Sequence, residues 1–260
     1  MARVIGICSQ KGGVAKSTST IEIASILKQM GNRVLVIDLD QQCSLTKDIG
    51  AVQNGITIYN ALHGECPIND AIQHLEIFDC IAGSASLSRA DREFIDDDDN
   101  FLLADLCDII KDDYDYILID NSPSRNKLLT MTYVVTDYVI IPTECDESSK
   151  DSLVTTQNDI YKLVNSRHHD SHALVIGYIL TKYEKTIMHQ VAIDDLKELA
   201  KKNPAKPFVL TVRKSIKASE VKTFHTSMAE MYRSLPVSMD YQLIVEEMIK
   251  TINKLERKRR

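Results

Sequence analysis

The 260-residue sequence has no long apolar run: its longest uninterrupted stretches, such as Ala173–Leu180, fall far short of the roughly 20 residues that cross a bilayer. A membrane-spanning helix is therefore excluded. No charged-then-apolar leader opens the chain, which starts as a short apolar strand running into a glycine loop, so no secretory signal is expected. Six cysteines (Cys8, Cys43, Cys66, Cys80, Cys107, Cys145) include no CxxC pair and no zinc spacing. That excludes a zinc module and leaves buried thiols in a reducing cytoplasm as the expectation. No internal repeat and no Pro/Gly/Ser-rich linker divides the chain, so one domain over residues 1–260 is expected. Nor is charge strongly one-sided: 31 Lys+Arg face 37 Asp+Glu, a net −6. With 44% hydrophobic and 26% charged residues, the composition is that of a globular protein. The mildly acidic total argues, at first sight, against nucleic acid as a partner.

What the chain does have is alternation. Short apolar runs at Val4–Cys8, Arg33–Asp38, Phe78–Ala82, Tyr116–Asp120, Tyr138–Pro142, Ala173–Leu180 and Phe208–Val212 read as strands. Segments of helical period lie between them at Ser17–Met30, Phe101–Ile110, Ser148–Val164 and His189–Lys201, with a last one at Tyr241–Leu255. This pattern predicts an α/β fold, a mostly parallel twisted sheet with helices on both faces. Asp96–Asp99 reads as a solvated acidic loop ahead of a helix.

The first strand ends in Ser9-Gln-Lys-Gly-Gly-Val-Ala-Lys-Ser-Thr18 and a helix follows at once. Strand, glycine turn, Lys-Ser, helix is the layout of a phosphate-binding loop. Gly12 and Gly13 let backbone N–H groups of Lys11 to Thr18 turn inward, and the helix N-terminus adds partial positive charge. Lys16 then reaches the β- and γ-phosphates of a nucleotide, and the Ser17 hydroxyl can ligate Mg²⁺. The strict pattern G-x-x-x-x-G-K-[ST] fails twice, with Gln10 at its first glycine and Ala15 at its last. The form that fits is K-G-G-x-x-K-[ST], opened by Lys11.

This loop resembles the ParA/MinD family of deviant Walker ATPases, P-loop NTPases that include the ParA-type (Soj-like) plasmid and chromosome partition ATPases. The resemblance implies ATP and Mg²⁺ as cofactors. It also implies that Lys11 crosses a dimer interface to the partner's nucleotide, so that ATP joins two subunits face to face. In the family, glycine is usual where this chain has Ala15.

Two carboxylates, Asp38 and Asp40, end the strand Val34–Ile37; two residues apart, they project from one face at the edge where ligands of open α/β sheets bind. The residues alone also allow strand-end solvation and helix capping. The family's D-x-D-P-Q motif matches both, with Gln41 for proline. By that resemblance Asp40 positions or activates the attacking water, and Asp38 supports the Mg²⁺ site. Tyr116–Ile119, four apolar residues, run into Asp120, a Walker B arrangement that holds Mg²⁺. Asn121-Ser-Pro-Ser124 keeps the second of two prolines usual in the family. Gly177-Tyr-Ile-Leu-Thr181 and Val212–Glu220 resemble its segments near the base, assigning Thr181 and Arg213 to adenine.

A nucleotide switch needs a readout. Residues 211–260 hold eleven bases and six acids, a net +5, which leaves −11 for the other 210 residues. Such asymmetry is the footprint of phosphate-backbone binding, although basic residues ending a helix also complement its dipole. Lys217 falls where ParA-type proteins carry a DNA-binding base. Lys214, Lys217, Lys254, Arg257, Lys258, Arg259 and Arg260 are the expected contacts to non-specific double-stranded DNA, the last five on a basic C-terminal helix at about 241–260. The resemblance further implies homodimerisation on ATP binding, weak hydrolysis stimulated by a ParB-like centromere-binding or cargo-adaptor protein, and a nucleoid-associated place in the cytoplasm. Alternatives are a MinD-like membrane-associated positioning ATPase and a ParA-like ATPase positioning a non-DNA cargo. Ile249–Leu255 lacks the dense apolar face that would bury well in a bilayer. An iron–sulfur reductase of the nitrogenase iron-protein type would need cysteines in glycine-rich ligand loops, unlike Cys107 and Cys145. A bacterial tyrosine kinase would show a tyrosine cluster at its tail, and none is there. With no helix-turn-helix ahead of the first strand, operator-specific repression is not expected.

Overall fold

The computed structural model describes residues 1–53, 55–168 and 170–259. Eight strands form one sheet: β1 (Arg3–Ile7), β2 (Val34–Leu39), β3 (Ile72–His74), β4 (Asp79–Ile81), β5 (Tyr116–Asn121), β6 (Tyr138–Thr143), β7 (Leu174–Tyr183) and β8 (Phe208–Arg213). Their order is β3-β4-β2-β5-β1-β6-β7-β8. Every neighbouring pair is parallel except β3 with β4, which is antiparallel. The seven expected strands are all present. β3 is the addition, a short and partly exposed edge strand. An antiparallel closing strand of this kind leaves little exposed parallel edge for another chain to pair with.

The α-helices are α1 (Lys16–Gln29), α2 (Ser44–Asp48), α3 (Ile58–Leu62), α4 (Ala90–Glu93), α5 (Leu102–Ile110), α6 (Lys127–Val135), α7 (Glu147–Val164), α8 (Ile187–Lys202), α9 (Lys217–Glu220), α10 (Met228–Met231) and α11 (Pro236–Arg259). Alternate strand residues serve opposite faces. Ile5, Val34, Val36 and Leu118 pack with Ile23 and Leu27 of α1 and with Tyr241, Ile244 and Met248 of α11. Leu35, Ile37, Ile117 and Ile119 pack with Leu103 of α5 and Met131 of α6 on the other face. The same face continues over β6 and β7, where Val139, Ile141 and Val175 meet Leu153 and Ile160 of α7 and Leu196 of α8. The central strands are buried on both sides, which is why they read as uninterrupted Val/Ile/Leu runs.

The last helix begins at Pro236, more than a turn before Tyr241, with proline at the first helical position where its missing N–H costs nothing. It runs alongside α1. Near its start the Tyr241 hydroxyl meets Ser19 Oγ at 3.1 Å, and further on Glu256 pairs with Arg3, the first residue of β1, at 2.8 Å. The helix therefore spans the sheet from the carboxyl ends of the strands to their amino ends.

Candidate active site

The carboxyl ends of β1, β2, β5, β7 and β8 converge on a cleft of about 760 Å³. Gly12, Gly13, Ala15, Lys16, Ser17 and Thr18 line one end of it, with Asp40 beside them; Thr181, Arg213, Lys214 and Tyr241 line the other. Residues far apart in the sequence are thus brought to one place.

The loop from Ser9 to Ala15 turns on two left-handed residues, Gly13 at φ +81° and Ala15 at φ 62°. For Gly13 that conformation is free, whereas Ala15 holds it against its own Cβ. Ala15 is the N-cap of α1, its carbonyl accepting from Ser19 N at 2.9 Å. Val14 is fully buried, and its carbonyl accepts from the Thr181 hydroxyl at 3.3 Å. Lys16 opens the helix with its side chain folded back over the loop, Nζ donating to the Lys11 carbonyl at 2.9 Å. Burial pulls the Lys16 ammonium below its usual value, while the nearby Asp120 and Asp40 charges oppose that pull. A partly desolvated cation folded over a loop that leads into a helix N-terminus is the arrangement that receives phosphate.

Asp120 is fully buried near the end of β5, in register with Asp38 of β2 on one side and Ile7 of β1 on the other. One oxygen accepts from Thr20 Oγ1 at 3.3 Å, and the other, Oδ2, has no hydrogen-bond partner. Burial, then the Asp38 charge, pushes its carboxyl up to about 8, while the Ser17 hydroxyl works the other way. A buried, orphaned carboxylate oxygen beside the Ser17 hydroxyl and a phosphate loop fits Mg²⁺, which binds through few protein ligands and takes the rest from phosphates and water. Among the described residues no cluster of three or more His, Cys, Asp or Glu forms an all-protein cage. Mg²⁺, when bound, would neutralise charge on the phosphates; Ser17 and Asp120 are the residues placed to hold it.

Asp38 accepts hydrogen bonds on both of its oxygens. Oδ1 accepts from Asp40 N at 3.0 Å, and Oδ2 accepts from Thr46 N at 2.9 Å and Thr46 Oγ1 at 2.6 Å. Burial raises its carboxyl, against those donors. Asp38 therefore fixes the turn that presents Asp40, and its charge bears on Asp120 from the neighbouring strand. Asp40 is 8% exposed on the cleft wall, with Oδ1 accepting from Gln42 N at 2.9 Å. Thr46 was not legible as a site residue, since nothing in a helical Ser-Leu-Thr-Lys marks it.

Lys11 turns away from the cleft. Its Nζ lies 2.6 Å from both Asp146 oxygens and 2.8 Å from Ser149 Oγ, at the N-terminus of α7. Burial of Asp146 is outweighed by the Lys11 ammonium and the Ser148 and Ser149 donors, which hold its carboxyl well below the usual range. An acid capping a helix just after a parallel strand's carboxyl end was the available signal for Asp146.

The two residues expected at the base are both on the cleft wall with their polar groups engaged. The Thr181 hydroxyl also donates to the Thr143 carbonyl at 3.0 Å, so it ties β6, β7 and the loop together. Arg213 is paired with Asp240 of α11, Nη2 to Oδ1 at 2.8 Å.

The expected DNA contacts are not one surface. Lys214 pairs with Glu184 at 3.2 Å and Lys217 pairs with Glu220 over the Tyr232 ring, both near the carboxyl ends of the strands. Lys254, Arg257 and Lys258 line a groove with Met30 and Lys250 at the opposite end of the sheet. From Tyr241 to Arg257 the helix rises about 24 Å, which separates the two groups. Arg260 and the Arg259 side chain lie outside the described residues.

A buried β1–loop–α1 unit with Lys16 folded over it, flanked by Asp40 and Asp120, defines the class: an α/β P-loop ATPase fold. The family model described as an AAA domain matches residues 2–172. The chromosome partitioning protein ParA of Caulobacter vibrioides is 33% identical over 201 residues, 74% of either chain. A Borrelia burgdorferi protein assigned to plasmid partition, solved with AMPPNP bound, superposes with TM-score 0.80 at 25% identity, covering 96% of this chain and 99% of its own. Apo McdA of Cyanothece shares the fold at TM-score 0.84 and 19% identity, with 95% and 100% of the chains covered. The chain belongs to the ParA/MinD family of ATPases.

Proposed function

We propose that this protein is an ATP-dependent partition ATPase. ATP and Mg²⁺ occupy the cleft, two copies close face to face over the nucleotide, and the dimer holds double-stranded DNA without sequence preference. A ParB-like or cargo-adaptor protein then stimulates hydrolysis and release. In this reading Lys16 and the loop amides bind the β- and γ-phosphates, Asp40 orients the attacking water, and Lys11 serves the partner copy. The protein works in the cytoplasm on the nucleoid, as one domain.

The observation that carries the reading is the direction of Lys11. Its ammonium is held at Asp146, on the rim, while Lys16 alone crosses its own loop. A lysine on the rim, turned out of its own cleft, would reach a second molecule's nucleotide by exchanging Asp146 for phosphate. DNA is favoured over a lipid surface by what α11 does with its apolar face: Val237, Tyr241, Ile244, Val245, Met248 and Ile252 are buried in the core. On this helix Met239 and Leu243 stay exposed, a narrower apolar face than strong burial in a bilayer needs, and no described helix is long and apolar enough to cross one.

Sedimentation tests the dimer: with ATP and Mg²⁺ the wild type should shift from monomer to dimer, while Lys11→Ala binds nucleotide and stays monomeric. Retention on plasmid DNA should need ATP. Dimers that persist in Lys11→Ala, or ATP-dependent attachment to liposomes and not to DNA, would overturn the corresponding part of the reading.

A further inference from the structure

Asp159 of α7 is a buried carboxylate, 7% exposed, that gathers donors from three segments. Oδ2 accepts from Gln10 Nε2 at 2.9 Å. Oδ1 accepts from Arg125 Nη2 at 3.2 Å and from Lys162 Nζ, one turn along the same helix, at 3.3 Å. Gln10 stands immediately before Lys11 in the phosphate loop, at the position a strict loop gives to glycine, which has no side chain to anchor. Arg125 belongs to the segment that follows Asp120. The two segments also approach each other directly, since a Cβ placed on Gly12 would lie 3.9 Å from Pro123 Cγ. Lys11, the next residue, is held by Asp146 and Ser149 at the start of the same helix. α7 thus grips two consecutive residues of the loop and one of the segment after β5.

We propose that Asp159 is a positioning residue that locks the phosphate loop and the segment after Asp120 to α7, so that α7 registers what the cleft holds. The physical basis is charge: a buried carboxylate leaves no cheap alternative to its donors, and bonds to an ionised acceptor are the strong ones. Movement of either segment on nucleotide binding must break or redirect a bond to Asp159, and the change is delivered to a helix of 18 residues. The proposal rests on reading the cleft as an ATP site.

The test is amide hydrogen exchange across Glu147–Val164 with and without AMPPNP and Mg²⁺, alongside the measured AMPPNP affinity. In the wild type, nucleotide should slow exchange along α7. Asp159→Asn should still bind AMPPNP and lose that slowing. Arg125→Ala, an exposed side chain whose loss does not threaten folding, should lose most of it too. In turnover, Arg125→Ala should lower kcat/KM about tenfold in the wild type and have no further effect in Asp159→Asn, as expected of residues acting through one another. Unchanged slowing in both variants, or equal effects of Arg125→Ala in the two backgrounds, would overturn the proposal while leaving the ATP site intact. Failure of the wild type itself to bind AMPPNP would overturn the ATP site, and the proposal with it.

Discussion

Asp38 and Asp120 lie side by side, in register on β2 and β5, both fully buried. Asp38 is supplied with donors from Thr46 and Asp40, whereas Asp120 keeps one oxygen without any. The pair therefore stores an electrostatic cost in the empty protein that a cation relieves. Asp120, an acid raised from 3.8 to about 8 in the folded chain, binds its proton more tightly folded than unfolded. Its contribution to stability is then present below the unfolded value and lost as pH rises through the folded one.

Nucleotide-free protein should accordingly lose stability between pH 6 and 8, by about 2 kcal/mol at most from this group. Urea unfolding at both pH values measures it. Asp120→Asn should flatten the decline and abolish Mg²⁺-dependent hydrolysis, and nucleotide with Mg²⁺ should flatten it in the wild type. An equal decline in Asp120→Asn would assign the pH dependence elsewhere.

Ala15 at φ 62° and ψ 35° carries a strain that glycine would not. Ala15→Gly should stabilise the protein by about 1 kcal/mol, after allowing for the greater freedom of glycine in the unfolded chain. A rise in Tm of roughly 2–4 °C is expected, with nucleotide affinity kept. A fall in Tm would mean that the Ala15 methyl packs usefully where the loop meets α1.

Lys16 and Asp40 should separate binding from hydrolysis. Lys16→Ala removes the one ammonium folded over the loop, and calorimetry should then detect no ATP binding. Asp40→Ala removes a carboxylate from the cleft wall without touching the loop. It should bind ATP within a few-fold of the wild type, as expected for a group that acts mainly in the transition state, and turn it over at least roughly 100-fold more slowly. Normal turnover by Asp40→Ala would remove it from the mechanism.

The parts legible in the sequence are those whose signal is local. Buried parallel strands such as Val139-Ile-Ile141 must be apolar on both faces, so they stand out as runs. The phosphate loop is contiguous and its geometry follows from its glycines and lysines. β3, Ile72-Gln-His74, is short and half polar because it closes the sheet as an edge strand. α6 is buried almost all round, and Leu128-Leu-Thr-Met-Thr-Tyr-Val-Val135 has no polar face to reveal its period. Thr46, Asp146 and Asp240 act on site residues from a distance in sequence, so only the fold shows that they hold Asp38, Lys11 and Arg213. The basic residues erred the other way: neighbours within the last fifty positions, they are parted by the length of α11.

That separation makes a quantitative claim about DNA. Lys214 and Lys217 are engaged with Glu184 and Glu220, whereas Lys254, Arg257 and Lys258 line one groove together. If the groove meets the phosphate backbone, each base that neutralises a phosphate contributes about 0.9 to the slope of log affinity against log salt. The Lys254→Ala, Arg257→Ala, Lys258→Ala triple variant should make that slope shallower by about 2–3. Lys214→Ala with Lys217→Ala should change it by less than about 1, because their charges are already paired. Circular dichroism must show α11 retained in the triple variant, since bases near a helix end also favour its dipole by tenths of a kcal/mol. A slope unchanged by the triple variant but reduced by the double one would move the DNA site to the nucleotide end of the sheet.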